Sequence, residues 1–269
     1  MHDFKNAKRI VVKVGTSTLT YDTGRINIRR LERLVAVLSD LANSGKEIAL
    51  VSSGAIAVGV GKLGLRERPS ATALRQAAAA VGQCELMHLY DQHFSRYYHK
   101  VAQLLLTRDV VDDPTRCANV VNTFTALFEL GAIPIINEND TVSTAELEGD
   151  SFGDNDRLSS LVATLINADG LIVISDIDGL YTANPQSDPD AKLIPLVERI
   201  DDELLACATG SVSGRGTGGM TTKIQAAQLV TSRGIPMAIV NGKDPDNLYR
   251  VLEGAQVGTV FRGQLTVDS

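Results

Sequence analysis

Short apolar runs alternate with helical periodicity along nearly the whole chain, and this constrains the fold more than any other feature. Residues 10–14, 48–51, 101–106, 132–136, 171–174 and 237–240 read as strands. Most are continuously apolar, as expected of strands covered on both faces. Between them, Ile28, Leu31, Leu34, Leu38 and Leu41 mark one helix, and the alanine-rich stretch 71–90 marks a second. Val121, Phe124 and Phe128 mark a third that closes at Gly131, and Leu158, Leu161, Val162 and Leu165 a fourth. Ile224, Ala227 and Val230 mark a fifth, with Gly234 fitting its stop. The alternation predicts an α/β protein, a three-layer αβα sandwich around a mainly parallel sheet. Residues 176–216 are the least regular and read as loops and short strands. No linker or repeat divides the chain, so 1–269 reads as one domain. Open sheets of this kind bind ligands at the carboxyl ends of their strands, which directs attention to the residues following each run.

Those residues are polar or small in almost every case. Lys13 sits in an otherwise apolar strand, where a charge is expensive unless it meets an anion; a solvent-facing edge position is the alternative. Ser52-Ser53-Gly54-Ala55 follows the second run and permits close approach of a ligand, although any tight turn could look the same. Asn137-Glu138-Asn139-Asp140 follows the fourth run, and Gly153-Asp154-Asn155-Asp156 introduces the next helix. A helix cap explains one acidic residue there but not the cluster. Ser175-Asp176 follows the fifth run. Near the C-terminus, Gly214-Arg215-Gly216-Thr217-Gly218-Gly219-Met220-Thr221-Thr222-Lys223 is a glycine-rich turn entering a helix, with a lysine one turn inside. Converging backbone N–H groups and the positive end of a helix favour an anion, so the segment reads as a phosphate cradle rather than a flexible hinge.

Other classes are disfavoured. Net charge is −6, which leaves no global basic footprint for nucleic acid. Cys84, Cys117 and Cys207 lack metal-ligand or disulfide spacing. His88, His93 and His99 lack the spacing of a helical metal pair and read as surface or packing residues. No long apolar run marks a signal peptide or membrane span, so a cytoplasmic protein is expected. The segment Gly59-Val60-Gly61-Lys62-Leu63-Gly64 satisfies G-x-G-x-x-G, but it does not bridge strand to helix and reads as a chance match. The Walker-type G-x-x-x-x-G-K-[ST] pattern does not occur.

Lys13-Val14-Gly15-Thr16-Ser17, Ser52-Ser53-Gly54-Ala55-Ile56-Ala57, Pro134-Ile135-Ile136-Asn137-Glu138-Asn139-Asp140, Gly153-Asp154-Asn155-Asp156 and Gly216-Thr217-Gly218-Gly219-Met220-Thr221-Thr222-Lys223 together resemble the amino acid kinase family. Within it they resemble the glutamate kinase branch, in the right order over essentially the whole chain. The resemblance implies transfer of the ATP γ-phosphoryl group to the side-chain carboxylate of L-glutamate, the first step of proline synthesis. It implies ATP and Mg²⁺ as cofactors, with no protein ligand for the metal identified. It implies glutamate binding by Ser53, Asp140 and Asn155 in an N-terminal lobe of about residues 1–165. Nucleotide binding falls to Lys13, Ser175, Asp176, Thr217, Gly218, Gly219, Met220, Thr221, Thr222 and Lys223, mostly in a C-terminal lobe of about residues 166–269. L-Proline is implied as a feedback inhibitor, glutamyl phosphate reductase as a candidate pathway partner, and a homo-oligomer as the assembly. The chain ends soon after Gly258-Thr259-Val260-Phe261, so the resemblance covers the kinase domain without the small C-terminal PUA domain of many relatives. The stretch between Asp140 and Gly153 reads as slightly longer than usual.

The chemistry agrees with these residues. A carboxylate acceptor, with a reference pKa of about 4.3, is already ionised at neutral pH and requires no general base. The transfer requires neutralisation of phosphoryl charge and alignment of two mutually repelling anions. Lys13 and Lys223 suit that work, and Asp156 is the candidate to hold both. The alternatives are a family member acting on aspartate, acetylglutamate, carbamate or a nucleoside monophosphate, and a non-catalytic ATP-dependent sensor.

Overall fold

The computed structural model describes residues 4–263 apart from 22, 108, 143–154, 186, 202–203 and 206–218. Eight strands form one sheet: β1 (Arg9–Val14), β2 (Glu47–Val51), β3 (Lys100–Leu106), β4 (Ala132–Glu138), β5 (Gly170–Ser175), β6 (Leu196–Val197), β7 (Met237–Asn241) and β8 (Thr259–Phe261). Their order across the sheet is β3-β4-β2-β1-β5-β7-β8-β6. Neighbours run parallel except β7 and β8, which pair antiparallel. The six expected strands are all present. The two additional ones, β6 and β8, lie at one edge and are too short to leave a periodic signal.

Nine helices are described: α1 (Thr16–Leu19), α2 (Ile28–Asn43), α3 (Ala55–Leu63), α4 (Thr72–Ser95), α5 (Asp109–Asp112), α6 (Pro114–Glu129), α7 (Asp156–Leu165), α8 (Met220–Thr231) and α9 (Asn247–Leu252). Alternate residues of β1 face opposite layers. Ile10, Val12 and Val14 pack in the core of Leu31, Leu34, Val35 and Leu38 from α2, with Tyr90 and Phe94 from α4 and Leu248 from α9. Val11 packs on the other face with Phe124 of α6, Leu158 and Val162 of α7, and Ile224 and Val230 of α8. Full burial of such a side chain contributes roughly 1.5–3 kcal/mol, so each layer is firmly held. By the same alternation Lys13 must point to the face where α7 and α8 begin.

Local chemistry starts the helices where the pattern places them. Asn27 accepts a hydrogen bond from the Arg30 N–H at 3.2 Å and caps α2. Asp113 accepts from Thr115 and Arg116 at the start of α6, where Pro114 occupies a first-turn position that lacks an N–H obligation. Helix α4 runs to Ser95, five residues past its expected end. The segment matching G-x-G-x-x-G is helical as α3 up to Leu63, with Gly64 as its C-cap, and Gly59 and Gly61 are packing contacts. A Cβ at Gly59 would lie 1.8 Å from the Ala78 carbonyl oxygen, and one at Gly82 1.8 Å from the Ala55 carbonyl oxygen. Absence of side chains at both positions is what lets α3 and α4 touch backbone to backbone. On its other flank α3 meets the 20–26 turn, where a Cβ at Gly61 would lie 2.9 Å from the Gly24 oxygen. His93 is buried in α4, and burial together with Arg96 lowers its pKa against the opposing pull of Glu32. Among the described residues no helix is long and apolar enough to cross a membrane.

Candidate active site

Strand β1 lies between β2 on one side and β5 on the other, so successive connections depart in opposite directions from its carboxyl end. A crevice opens at such a reversal. A cavity of about 530 Å³ occupies it, lined among others by Lys13, Ser53, Asn137, Asp140, Asn155, Ser175, Asp176 and Lys223. These come from the ends of β1, β2, β4 and β5 and the starts of α7 and α8, far apart in sequence and joined only by the sheet.

At the cavity floor, Lys13 Nζ lies 2.8 Å from Asp156 Oδ1, and Lys223 Nζ lies 3.1 Å from Asp156 Oδ2. All three side chains are buried, at 1%, 5% and 0% exposure for Lys13, Lys223 and Asp156. Thr222 Oγ donates to the same Asp156 Oδ2 at 2.9 Å. Burial alone would raise the Asp156 carboxyl, but the positive charges of Lys13 and Lys223 outweigh it and hold its pKa below the ordinary value of 3.8. Asp156 is the first residue of α7 and does not cap that helix; nor does Asn155, the N-cap residue, whose side chain is turned elsewhere. The ionised triad carries a formal charge of +1 in a water-poor site, a setting in which a further anion is strongly favoured.

The other side of the cavity rests on a polar network. Asn155 Nδ2 donates to the Ser52 carbonyl oxygen and, at 2.7 Å, to Asn137 Oδ1. Asn137 Oδ1 also accepts from the Glu138 N–H at 2.9 Å, and Asn137 Nδ2 donates to Gln83 Oε1 at 2.7 Å. Beneath them the Ser52 and Tyr90 hydroxyls are 2.9 Å apart, and burial, only partly offset by that bond, raises the Tyr90 pKa. Ser53 Oγ is buried with no hydrogen-bond partner among the described residues and lies in a residue that lines the cavity. Such a group is satisfied when a ligand supplies the missing partner.

The expected site residues divide as follows. Lys13, Ser53, Asp140, Asn155, Ser175, Asp176 and Lys223 line the cavity, and Asp156 lies directly beneath the two lysines. Ser175 Oγ donates to Asp176 Oδ1 at 3.2 Å at the end of β5. Gly219 is the N-cap of α8, with open space around its Cα, and Thr221 follows in the first turn. The Met220 side chain packs into the core beside Ile224 rather than lining the cavity. Thr217 and Gly218, with the rest of the glycine-rich turn, lie outside the described residues, as do Gly153, Asp154 and most of the stretch after Asp140. The structure adds Asn137, Gln83 and Tyr90 to the network behind the cavity. Asn137 had a signal in its polar tetrad, whereas nothing distinguishes Gln83 or Tyr90 within a long helix. Among the described residues no group of three or more His, Cys, Asp or Glu side chains could hold a metal.

Comparison with known proteins gives the family. A family model described as the amino acid kinase family matches residues 8–241. The chain is 54% identical to a glutamate 5-kinase of Clostridium perfringens over 258 residues, 96% of each chain. It is 52% identical to a glutamate 5-kinase of Listeria innocua, over 96% of this chain and 94% of that one. Among solved structures it resembles a UMP kinase from Bacillus anthracis, with a TM-score of 0.63 and 17% identity over 96% of this chain and 97% of that one. An isopentenyl phosphate kinase from T. acidophilum matches with the same TM-score at 16% identity, over 94% and 100% of the two chains. The latter two likenesses carry the αβα fold and nothing finer.

Proposed function

Because this chain belongs to the glutamate 5-kinases of the amino acid kinase family, we propose that its strand-end cavity transfers the γ-phosphoryl group of ATP to the side-chain carboxylate of L-glutamate. The observation that carries the reading is the buried Lys13–Asp156–Lys223 triad at the cavity floor. A non-catalytic sensor has no use for two desolvated ammonium groups locked on one carboxylate. A phosphotransferase that must bring two anions together does.

In the transfer, a γ-carboxylate oxygen forms a bond to the γ-phosphorus while the bond from that phosphorus to the β,γ-bridging oxygen breaks. The electron pair leaves with ADP, and the product is an acyl phosphate. No proton moves, since the acceptor is ionised. Lys13 and Lys223 neutralise charge on the phosphoryl oxygens, and Asp156 fixes the spacing of the two ammonium groups. Ser53, Asp140 and Asn155 hold the amino acid, with Asp140 paired to its ammonium and the Ser53 hydroxyl donating to a carboxylate. Ser175, Asp176 and the turn at 217–223 hold the nucleotide. In this reading the first 165 residues or so carry the acceptor side and the remainder the donor side. Mg²⁺ would enter with ATP, held mainly by phosphate oxygens and water; among the described residues no group of three or more His, Cys, Asp or Glu side chains offers it a site. The charge work of the protein itself rests on the lysines. Both substrates are supplied in the cytoplasm, where the reading locates the activity, and it further includes a closed homo-oligomer and hand-over of the labile product to glutamyl phosphate reductase.

Incubated with ATP and Mg²⁺, the purified chain should yield a hydroxamate from L-glutamate on trapping with hydroxylamine. L-Aspartate, one methylene shorter, should react about 100-fold more slowly, because a displacement near 1 Å at the reacting atoms has that effect. Equal rates would remove the glutamate assignment and leave the kinase assignment standing.

L-Proline carries an α-carboxylate and a secondary ammonium but no γ-carboxylate, so it can occupy the Asp140 side of the cavity without reacting. Initial rates over a grid of glutamate and proline should show an apparent inhibition constant that rises in proportion to glutamate. Insensitivity to millimolar proline would reject this control.

A further inference from the structure

We propose that Gln83, half-buried on α4, is a positioning residue for the amino-acid subsite: by accepting from Asn137 it supports the orientation of the Asn137–Asn155 amide pair that leaves the Asn155 oxygen facing the substrate. The inference rests on the glutamate reading above and extends it to a residue that touches neither substrate.

A side-chain amide has a donor end and an acceptor end, and its orientation is set by fixed neighbours. Two backbone groups anchor the pair. The Glu138 N–H can only donate, so Asn137 must offer it Oδ1, at 2.9 Å. The Ser52 carbonyl can only accept, so Asn155 must offer it Nδ2. The second hydrogen of Asn155 Nδ2 goes to Asn137 Oδ1 at 2.7 Å, and both donors of Asn155 are then used. What Asn155 has left for the cavity it lines is Oδ1, an acceptor. An acceptor in the cavity that Asp140 also lines favours an ammonium and disfavours a carboxylate.

The remaining joint is the Asn137 Nδ2 donor, which ends on Gln83 Oε1 at 2.7 Å. Without an acceptor there, Nδ2 is left without a partner, and the inward orientation of Oδ1 loses its outer support. A reversed Asn137 would set its donor against two other donors, the Glu138 N–H and Asn155 Nδ2, and Asn155 would have to turn in response. Gln83 reaches this joint because its neighbour Gly82 has no side chain and lets α4 lie against the start of α3.

Three variants test this. Gln83→Met keeps the size and removes the acceptor; Gln83→Lys places a donor opposite Asn137; Gln83→Glu keeps an acceptor oxygen. The first two should raise the KM for glutamate about 10-fold, since a polar group left without its partner has an effect of that order. The KM for ATP and kcat should stay within about twofold, and Gln83→Glu within about threefold of the parent. Glutarate, which lacks the ammonium, should inhibit the parent and Gln83→Met equally well. In an Asn155→Ala background, Gln83→Met should add nothing. Parent-like KM for glutamate in Gln83→Met and Gln83→Lys overturns the inference. So does equal impairment of all three variants, or an ATP KM that moves in step. If Gln83→Met lacks a cooperative melt, the contrast between Gln83→Lys and Gln83→Glu decides alone. A parent chain that forms no acyl phosphate from glutamate sinks the substrate reading and this inference with it, whereas parent-like variants sink the inference only.

Discussion

Replacement of Lys13 or Lys223 by alanine should lower kcat by ~10²–10³-fold while the KM for glutamate changes little. The magnitude follows from the loss of one preorganised positive group aimed at charge that redistributes during the transfer. A group whose interaction strengthens only as the phosphoryl moves appears in kcat rather than in KM. Each lysine contacts a different oxygen of Asp156, at 2.8 and 3.1 Å, so loss of one leaves the carboxylate paired with the other and the fold intact. Thermal melting and titration with an ATP analogue would establish that each variant is folded and occupied. Turnover within about threefold of the parent in either variant would show that its charge serves packing rather than chemistry.

The second large effect should come from Asp156→Ala, and it should appear first in stability. Removing the carboxylate takes away the counter-charge that the two buried ammonium groups share. Breaking a buried ion pair from one side costs about 3–5 kcal/mol. For a chain of this size that corresponds to a fall in Tm of roughly 10 °C. ATP or pyrophosphate should recover much of the loss, because phosphate oxygens can stand where the carboxylate stood. A melt unchanged by the substitution, or unaffected by either anion, would mean the lysines are not confined as described. In the parent, the pKa of Asp156 is depressed by its partners. Its contribution to stability is therefore whole above the ordinary value of 3.8 and is lost as pH falls through the lower folded-state value. From about pH 5 to about pH 8, protonation of Asp156 should leave both stability and rate unmoved.

Much of this arrangement was legible in the residues because parallel strands buried on both faces leave unbroken apolar runs, and β1, β2, β4, β5 and β7 all carry them. Lys13 stood out because a charge inside such a run needs a reason, and the reason proved to be Asp156. Helix α3 was missed on equally physical grounds. Ala55-Ile56-Ala57-Val58-Gly59-Val60-Gly61 is rich in glycine and β-branched residues, which form helices poorly by themselves. What makes the segment helical is its contact with α4, and no local pattern encodes that. Strands β6 and β8 owe their existence to pairing with each other and with β7, not to their own two or three residues. The Gln83–Asn137–Asn155 relay was equally invisible, since it depends on three elements meeting across 72 positions of sequence, from 83 to 155.

Anyone seeking to retrain this cavity for another amino acid inherits an uneven landscape. Gly59, Gly61 and Gly82 have backbone oxygens standing where even a methyl group would go, so a mutagenic library spent on them returns misfolded protein. The rim offers the opposite. Tyr21, Thr23, Arg66 and Arg68 border the cavity from exposed segments and can change size and charge at little structural expense. Variation in acceptor choice should therefore accumulate at the mouth of the site, while the helix that forms its wall drifts hardly at all.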